Sequence, residues 1–369
     1  MAIQLRPLMR DLHPYVAGRS EASLQRELGL IDVVKLGSNE SPHGPFPAAL
    51  VAMSAMLEGV NRYPERDFEL AETLATHWNV PVEQIQIGNG VDPIIGWLSM
   101  AFLEPGDEAV MAHPSFVTYA LDAHKAGGVA VQVPLVDGKH DVEAMAAAVT
   151  PRTRLLYVCS PNNPTGDIVD VDALTWLIDE VGDDVLVVVD QAYAEYVDDP
   201  RYPDAIGLWA RNRPNVAVLR TFSKLYGLAN LRVGYCVADA EIVRALGRIR
   251  HYFDVSDVGH VAAVASLGDE DEATRRKDLN SRVRSRVART FDAWGLPRMR
   301  SHANFIAFDA GDGEQVAADL MKRGVITRPL GPFGSGGLLR VTIGTDEQMD
   351  VFLDALAEVL ARPTDRGRR

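Results

Sequence analysis

Cysteine is scarce in this chain. Two in 369 residues, Cys159 and Cys236, cannot build a disulfide framework. Both fall inside strand-like apolar runs and read as small core residues of a chain in a reducing compartment. No apolar stretch reaches the ~20 residues that a membrane span needs, and a signal-peptide pattern is missing, so a cytoplasmic chain with no membrane partner is expected. Positive charge is also short. Lys and Arg number 37 against 51 Asp and Glu, a formal net charge of −14, which argues against nucleic-acid partners and anionic membrane surfaces. The one basic cluster, Arg275-Arg276-Lys277, follows the acidic run Asp269–Glu272 and reads as a solvated mixed-charge helix face. Nine histidines show no metal-ligand spacing, so no metal is expected. The turn Gly88-Asn89-Gly90 lacks the third glycine of a dinucleotide fingerprint and the Gly-Lys-Ser/Thr of a P-loop.

What is present is a large apolar fraction, 47%, in a chain long enough for about two to three domains. From about Pro45 to about Arg250, short apolar strands alternate with helical segments, the pattern of an α/β unit with a mainly parallel sheet. A long helical stretch is expected from about Glu241 to Trp294. Phe305–Phe308, a helix at Gln315–Lys322, strands near Val325-Ile326 and Leu338–Ile343 and a last helix suggest a smaller α+β unit. The run Gly331-Pro332-Phe333-Gly334-Ser335-Gly336-Gly337 reads as a flexible loop.

The most informative string is Thr221-Phe222-Ser223-Lys224-Leu225-Tyr226-Gly227-Leu228-Ala229-Asn230-Leu231-Arg232. Its Ser-Lys pair ends the apolar run Val216–Leu219, where a free ammonium is costly to desolvate. An imine-forming lysine avoids that cost, and Ser223 with Arg232 can hold a phosphate by hydroxyl and guanidinium fork. Together these describe a pyridoxal phosphate site, although a Ser-Lys pair alone is equally a chance turn.

Three further strings follow the same logic. Val185–Val189 is a buried parallel strand ending in Asp190, with Tyr193 three residues on. A carboxylate at that strand end sits where open α/β sheets bind ligands, and it can keep a pyridine nitrogen protonated. A plain helix N-cap is the other reading of Asp190. Leu155–Cys159 runs into Ser160-Pro161-Asn162-Asn163-Pro164-Thr165-Gly166, a rigid turn whose asparagine is a preorganised donor. Gly88–Pro93 opens an apolar helix from Ile94 to Phe102, and a glycine-rich turn at a helix start is an anion site. Phe116, after the strand Ala109–Met111, is placed to stack on a flat ring or to fill the core.

These strings resemble the aspartate-aminotransferase superfamily of pyridoxal phosphate enzymes, and within it the histidinol-phosphate aminotransferase branch. The resemblance runs from about Leu12 to about Leu360. It includes Pro14–Gly18, Lys35-Leu36-Gly37-Ser38-Asn39-Glu40-Ser41-Pro42, Arg62-Tyr63-Pro64, Ala303-Asn304-Phe305 and Leu339–Thr345. It implies a fold-type I architecture: a large domain over 45–250 with a seven-stranded, mainly parallel sheet flanked by helices, and a smaller α+β domain from 1–44 and 251–369. It implies Lys224 as the cofactor-binding lysine and proton shuttle, and Asp190 as partner of the ring nitrogen. Tyr193 and Asn163 would bond the ring oxygen, with Phe116 stacked on the ring. Ser223, Arg232 and the Val91-Asp92 backbone would hold the phosphate, with Tyr63 reaching in from the second subunit of a homodimer. Arg340 and Arg328 would grip the substrate's anion, Asn39 would contact the substrate, and Tyr15 would close over it.

The activity implied is transfer of an amino group from L-histidinol phosphate to 2-oxoglutarate. Transamination of an aromatic amino acid is the nearest alternative, followed by decarboxylation of a phosphorylated amino acid. A non-catalytic pyridoxal phosphate-binding regulator is disfavoured by the intact lysine, and a dehydrogenase by the missing fingerprint. Three positions depart from the branch: Pro93 for an acidic residue, Gln191 for the acidic neighbour of Asp190, and Asn230 for glycine.

Overall fold

The computed structural model describes Gln4, residues 19–65 and residues 67–361. Its centre is a seven-stranded sheet in the order Ile85–Gly88, Gly234–Val237, Val216–Thr221, Leu186–Asp190, Thr153–Cys159, Glu108–His113 and Val129–Pro134. Gly234–Val237 alone runs against the others. The β-branched runs become the middle strands because helices cover both faces, which favours apolar residues at successive positions. Leu186–Asp190 is buried throughout. The period-2 alternation of strand side chains separates the two cores. Val187, Val189, Leu156 and Val218 face one, whereas Leu186, Val188, Tyr157 and Leu219 face the other. Helices Val91–Phe102, Thr118–Ala126 and Ala240–Ile249 cover the second face. Pro47–Met56, Asp67–Trp78, Val171–Val181 and Asp257–Leu267 cover the first.

A third core lies around an antiparallel sheet of Arg328–Pro329, Leu338–Thr342 and Phe305–Asp309. Helices Gly313–Met321 and Asp346–Ala361 and the far half of Glu270–Ala293 pack on it. The N-terminal segment joins this unit through Val34–Lys35, which pairs in parallel with Val325–Ile326.

One expectation needs correction. The helical stretch expected over Glu241–Trp294 is three helices, Ala240–Ile249, Asp257–Leu267 and Glu270–Ala293, because Ser256 and Asp269 each cap a new start with their side chains. Past the expected boundary at 250/251, Val255, Ala262, Ala263 and Leu267 are buried in the core beside the seven-stranded sheet. In the glycine-rich run, Gly331–Phe333 forms a tight turn that buries Phe333 against Ala307 and Leu330, so its start is anchored. No helix among the described residues is long and apolar enough to cross a membrane.

Candidate active site

Parallel register sets the floor of the site. Cys159 lies opposite Asp190, and Asp190 opposite Leu219, so three neighbouring strands end on the same side. A cleft of roughly 660 Å³ opens there. Lys224 stands three residues past the last of these strands, with Nζ 5.4 Å from the centre of the Tyr193 ring. Desolvation, with the Arg340 guanidinium next in weight, pulls its amine down to about 8.

Asp190 is 3% exposed, and burial pushes its carboxyl up to about 6. Tyr119 donates from Oη to Oδ2 at 2.6 Å, and the Ala192 N–H donates to Oδ1 at 3.0 Å. The carboxylate is therefore oriented by two donors and lacks a full countercharge. Tyr119 was missed by sequence reasoning. The only signal for it is its spacing, one helical turn after Phe116, onto which its ring packs edge-on at 5.6 Å.

The anion cradle is built by close backbone approach. Helix Val91–Phe102 begins at Gly90, which has φ +80° and gives the helix start no side-chain cap, leaving its first N–H groups for a ligand. That positive φ favours glycine, and a Cβ on Gly90 would fall 2.3 Å from Arg232 Nη2 and displace that guanidinium. Arg232 reaches Ser223 Oγ from Nη1 at 3.4 Å and Asp92 Oδ2 from Nη2 at 3.4 Å. Val91 and Asp92 line the cleft with them, and Pro93 follows in the first helical turn.

The opposite wall comes from the smaller unit. Asn39 Nδ2 donates to Tyr193 Oη at 3.0 Å, which leaves the Tyr193 hydroxyl proton for another acceptor. Burial keeps that phenol protonated by raising it above its ordinary value. Arg340 Nη1 donates to Asn163 Oδ1, so the amide NH₂ of Asn163 is its remaining donor end, and Arg340 Nη2 donates to Gly37 O at 3.1 Å. Asn162 buttresses this loop by accepting from Ser115 Oγ at 2.8 Å and donating to Thr165 Oγ1 at 2.9 Å. Arg328 lies directly across the strand pair from Arg340, and both line the cleft. Phe116 forms part of the wall, as do Trp97, Cys159 and His251, which sequence reasoning did not assign to the site. Tyr63 is 74% exposed, stacks on Phe253 at 4.7 Å and does not line its own chain's cleft. Tyr15 lies outside the described residues.

Residues 31–356 match the family model of aminotransferase classes I and II. The chain belongs to the class I and II aminotransferases. Among relatives, histidinol-phosphate aminotransferase of Moorella thermoacetica is 44% identical over 96% of this chain and 93% of its own. An aromatic amino acid aminotransferase of Mycolicibacterium vanbaalenii is 41% identical over 96% of this chain and 97% of its own. The crystal structure of histidinol-phosphate aminotransferase from Sinorhizobium meliloti, in complex with pyridoxal-5'-phosphate, superposes with a TM-score of 0.87. It shares 29% identity over 98% of each chain.

The residues present in this aminotransferase fit that cofactor. A buried carboxylate without a full countercharge suits a protonated ring nitrogen, a depressed amine suits an aldehyde, and the glycine cradle beside Arg232 suits a phosphate. This is a pyridoxal phosphate-dependent transaminase.

Proposed function

We propose that this aminotransferase moves an amino group from L-histidinol phosphate to 2-oxoglutarate, giving imidazole acetol phosphate and L-glutamate. The paired register of Arg328 and Arg340 carries this reading. Two guanidiniums facing one cleft across adjacent strands suit a phosphate dianion, and a carboxylate in the second half-reaction can use the same place. The 41% identity to an aromatic amino acid aminotransferase supports a second reading, in which an aromatic side chain replaces the phosphorylated one.

When bound, pyridoxal phosphate offers an aldehyde carbon to an amine and a protonated ring that withdraws electrons from the bond being broken. The chain's residues do the rest. Lys224 Nζ holds the cofactor at rest and, as a neutral amine, takes the proton from the donor carbon that bears nitrogen. An amine near 8 is poised for both steps. Asp190 keeps the ring nitrogen protonated, and Tyr119 holds Asp190 in line. Tyr193 and Asn163 donate to the ring oxygen, and Phe116 stacks on the ring. Ser223, Arg232 and the N–H groups of Val91 and Asp92 hold the phosphate. Arg328, Arg340 and Asn39 face the substrate, over which Tyr15 closes.

The enzyme works as a cytoplasmic homodimer. Tyr63 points out of its own chain and supplies its hydroxyl to the phosphate in the second subunit. A panel of donors tests the substrate: histidinol phosphate, phenylalanine, tyrosine and glutamate, compared by kcat/KM. A clear preference for phenylalanine over histidinol phosphate would replace the first reading with the second.

A further inference from the structure

Arg276 belongs to the basic cluster that reads, in sequence, as a solvated helix face. The structure buries it to 3% exposure. It lies in the second turn of Glu270–Ala293, where that helix leaves the large unit for the smaller one. Its Nε donates to Glu272 Oε1 at 2.7 Å. Glu272 accepts from both Arg275 and Arg276, which hold its carboxyl down at about 2. The remaining guanidinium nitrogens reach main-chain oxygens of three consecutive residues: Gly44, His43 at 3.4 Å and Pro45 at 3.1 Å. Nη1 also lies 3.5 Å from Leu225 O, next to Lys224 in the chain. Its flat face covers the Phe46 ring, 4.4 Å from the centre.

These contacts join three parts of the molecule. Residues 43–46 lie on the turn after Lys224: a Cβ on Gly227, at φ +70°, would fall 1.9 Å from Gly44 O, and Phe46 packs on Tyr226. The same irregular segment contains Asn39, which Thr342 and Asn304 of the smaller unit hold in place at 2.9 and 3.0 Å. A planar guanidinium suits this task because its donors diverge from one rigid fork, and a buried one left unpartnered is costly.

We propose that Arg276 is a positioning residue: it registers the smaller unit, which carries the anion-gripping Arg340, against the turn that carries Lys224. This rests on the reading of Lys224 and Arg340 given above. In this role Arg276 sets how far the gripped substrate stands from the amine. It never touches substrate, and its loss makes the grip of Arg340 less productive.

A double-mutant cycle on the holoenzyme tests this, with glutamate as donor and single-turnover rates read from cofactor absorbance. Arg340→Gln is expected to slow the wild-type background on the order of 100-fold and the Arg276→Met background less than about tenfold, because residues in one network are not additive. Arg276→Met alone should lower the saturated rate more than it raises KM. Arg276→Lys keeps the charge but not the fork and should fall between wild type and Met. It also stands in for the Met variant in the cycle should that chain not fold. Equal factors for Arg340→Gln in both backgrounds would show a merely structural arginine and overturn the inference while leaving the site reading intact. No effect of Arg340→Gln in the wild-type background would sink the site reading and the inference together.

Discussion

Replacing Asp190 with Asn should make the cofactor-free protein more stable, although it damages the site. Asp190 is a buried carboxyl raised from 3.8 to about 6, chiefly by desolvation. A shift of roughly 2 units corresponds to about 3 kcal/mol between its protonated and ionised forms. The sign follows from linkage. Between those two values the folded chain binds more protons than the unfolded one, so the cost of the ionised form is fully present above about 6 and vanishes as pH falls below 3.8. Asn is neutral: its carbonyl oxygen can still accept from the Ala192 N–H, and its amide NH₂ can donate to Tyr119 Oη, which then serves as the acceptor. With about 2 cal/mol/K of unfolding entropy per residue, the gain amounts to an upper limit of roughly 4 °C in Tm for a chain of 369 residues. On the proposed reading, the carboxylate would face a protonated ring nitrogen in the holoenzyme, and the same change would remove an attraction. Melting curves of both proteins, with and without cofactor at pH 8, should therefore show a smaller cofactor-induced shift for Asp190→Asn. The apo-protein gap should close as the buffer is taken from pH 6 towards pH 4. A single-turnover rate should fall further than cofactor retention does, since the phosphate cradle is untouched. An apo variant less stable than wild type at pH 8, or an undiminished cofactor-induced shift, would refute the charge argument.

Four further outcomes follow from the same geometry. Borohydride reduction and peptide mapping of the wild type should place the cofactor on Lys224, and Lys224→Ala should lose several orders of magnitude in rate; a label on another lysine sinks the assignment. The rate at which apo protein captures cofactor should rise with pH through about 8, and Arg340→Gln, by removing a nearby cation, should move that midpoint upward; an unmoved or lowered midpoint contradicts it. Arg328→Gln should slow the histidinol-phosphate half-reaction more than the glutamate one; no change in either would remove the argument for a phosphorylated donor. A Tyr63→Phe chain mixed with a Lys224→Ala chain should regain activity on subunit exchange, because one hybrid site carries both defects and the other neither; a fully active monomer in sedimentation excludes shared sites.

What was legible in the sequence divides along physical lines. Strands buried on both faces announce themselves as unbroken apolar runs, so the strand that ends at Asp190 was legible, whereas the strand before Lys224 runs on to Thr221, two residues past the apolar run Val216–Leu219, through a buried Arg220. The glycines that open the helix at Val91 were legible as a motif, and the φ of +80° at Gly90 gives the reason. Tyr119 was not, because a tyrosine on a helix carries no mark of the carboxylate it will meet across the sheet.

Arg276 is the sharper case. Its neighbours in sequence, Arg275, Lys277 and the acids before them, have the pattern of a wet surface, and Arg275 is in fact exposed there. One position along, the helix turns inward, and a chain of backbone oxygens from residues 43–45 receives the charge. Local pattern could not reveal this, because the partners lie more than 200 positions away and are main-chain atoms that no side-chain identity encodes. Isolated charge is expelled from an interior unless it is met by enough acceptors, so a buried arginine surrounded by carbonyls marks a place where backbone geometry itself is being held. Here that place adjoins Lys224, which is why a residue far from the substrate is expected to govern how well the substrate is presented.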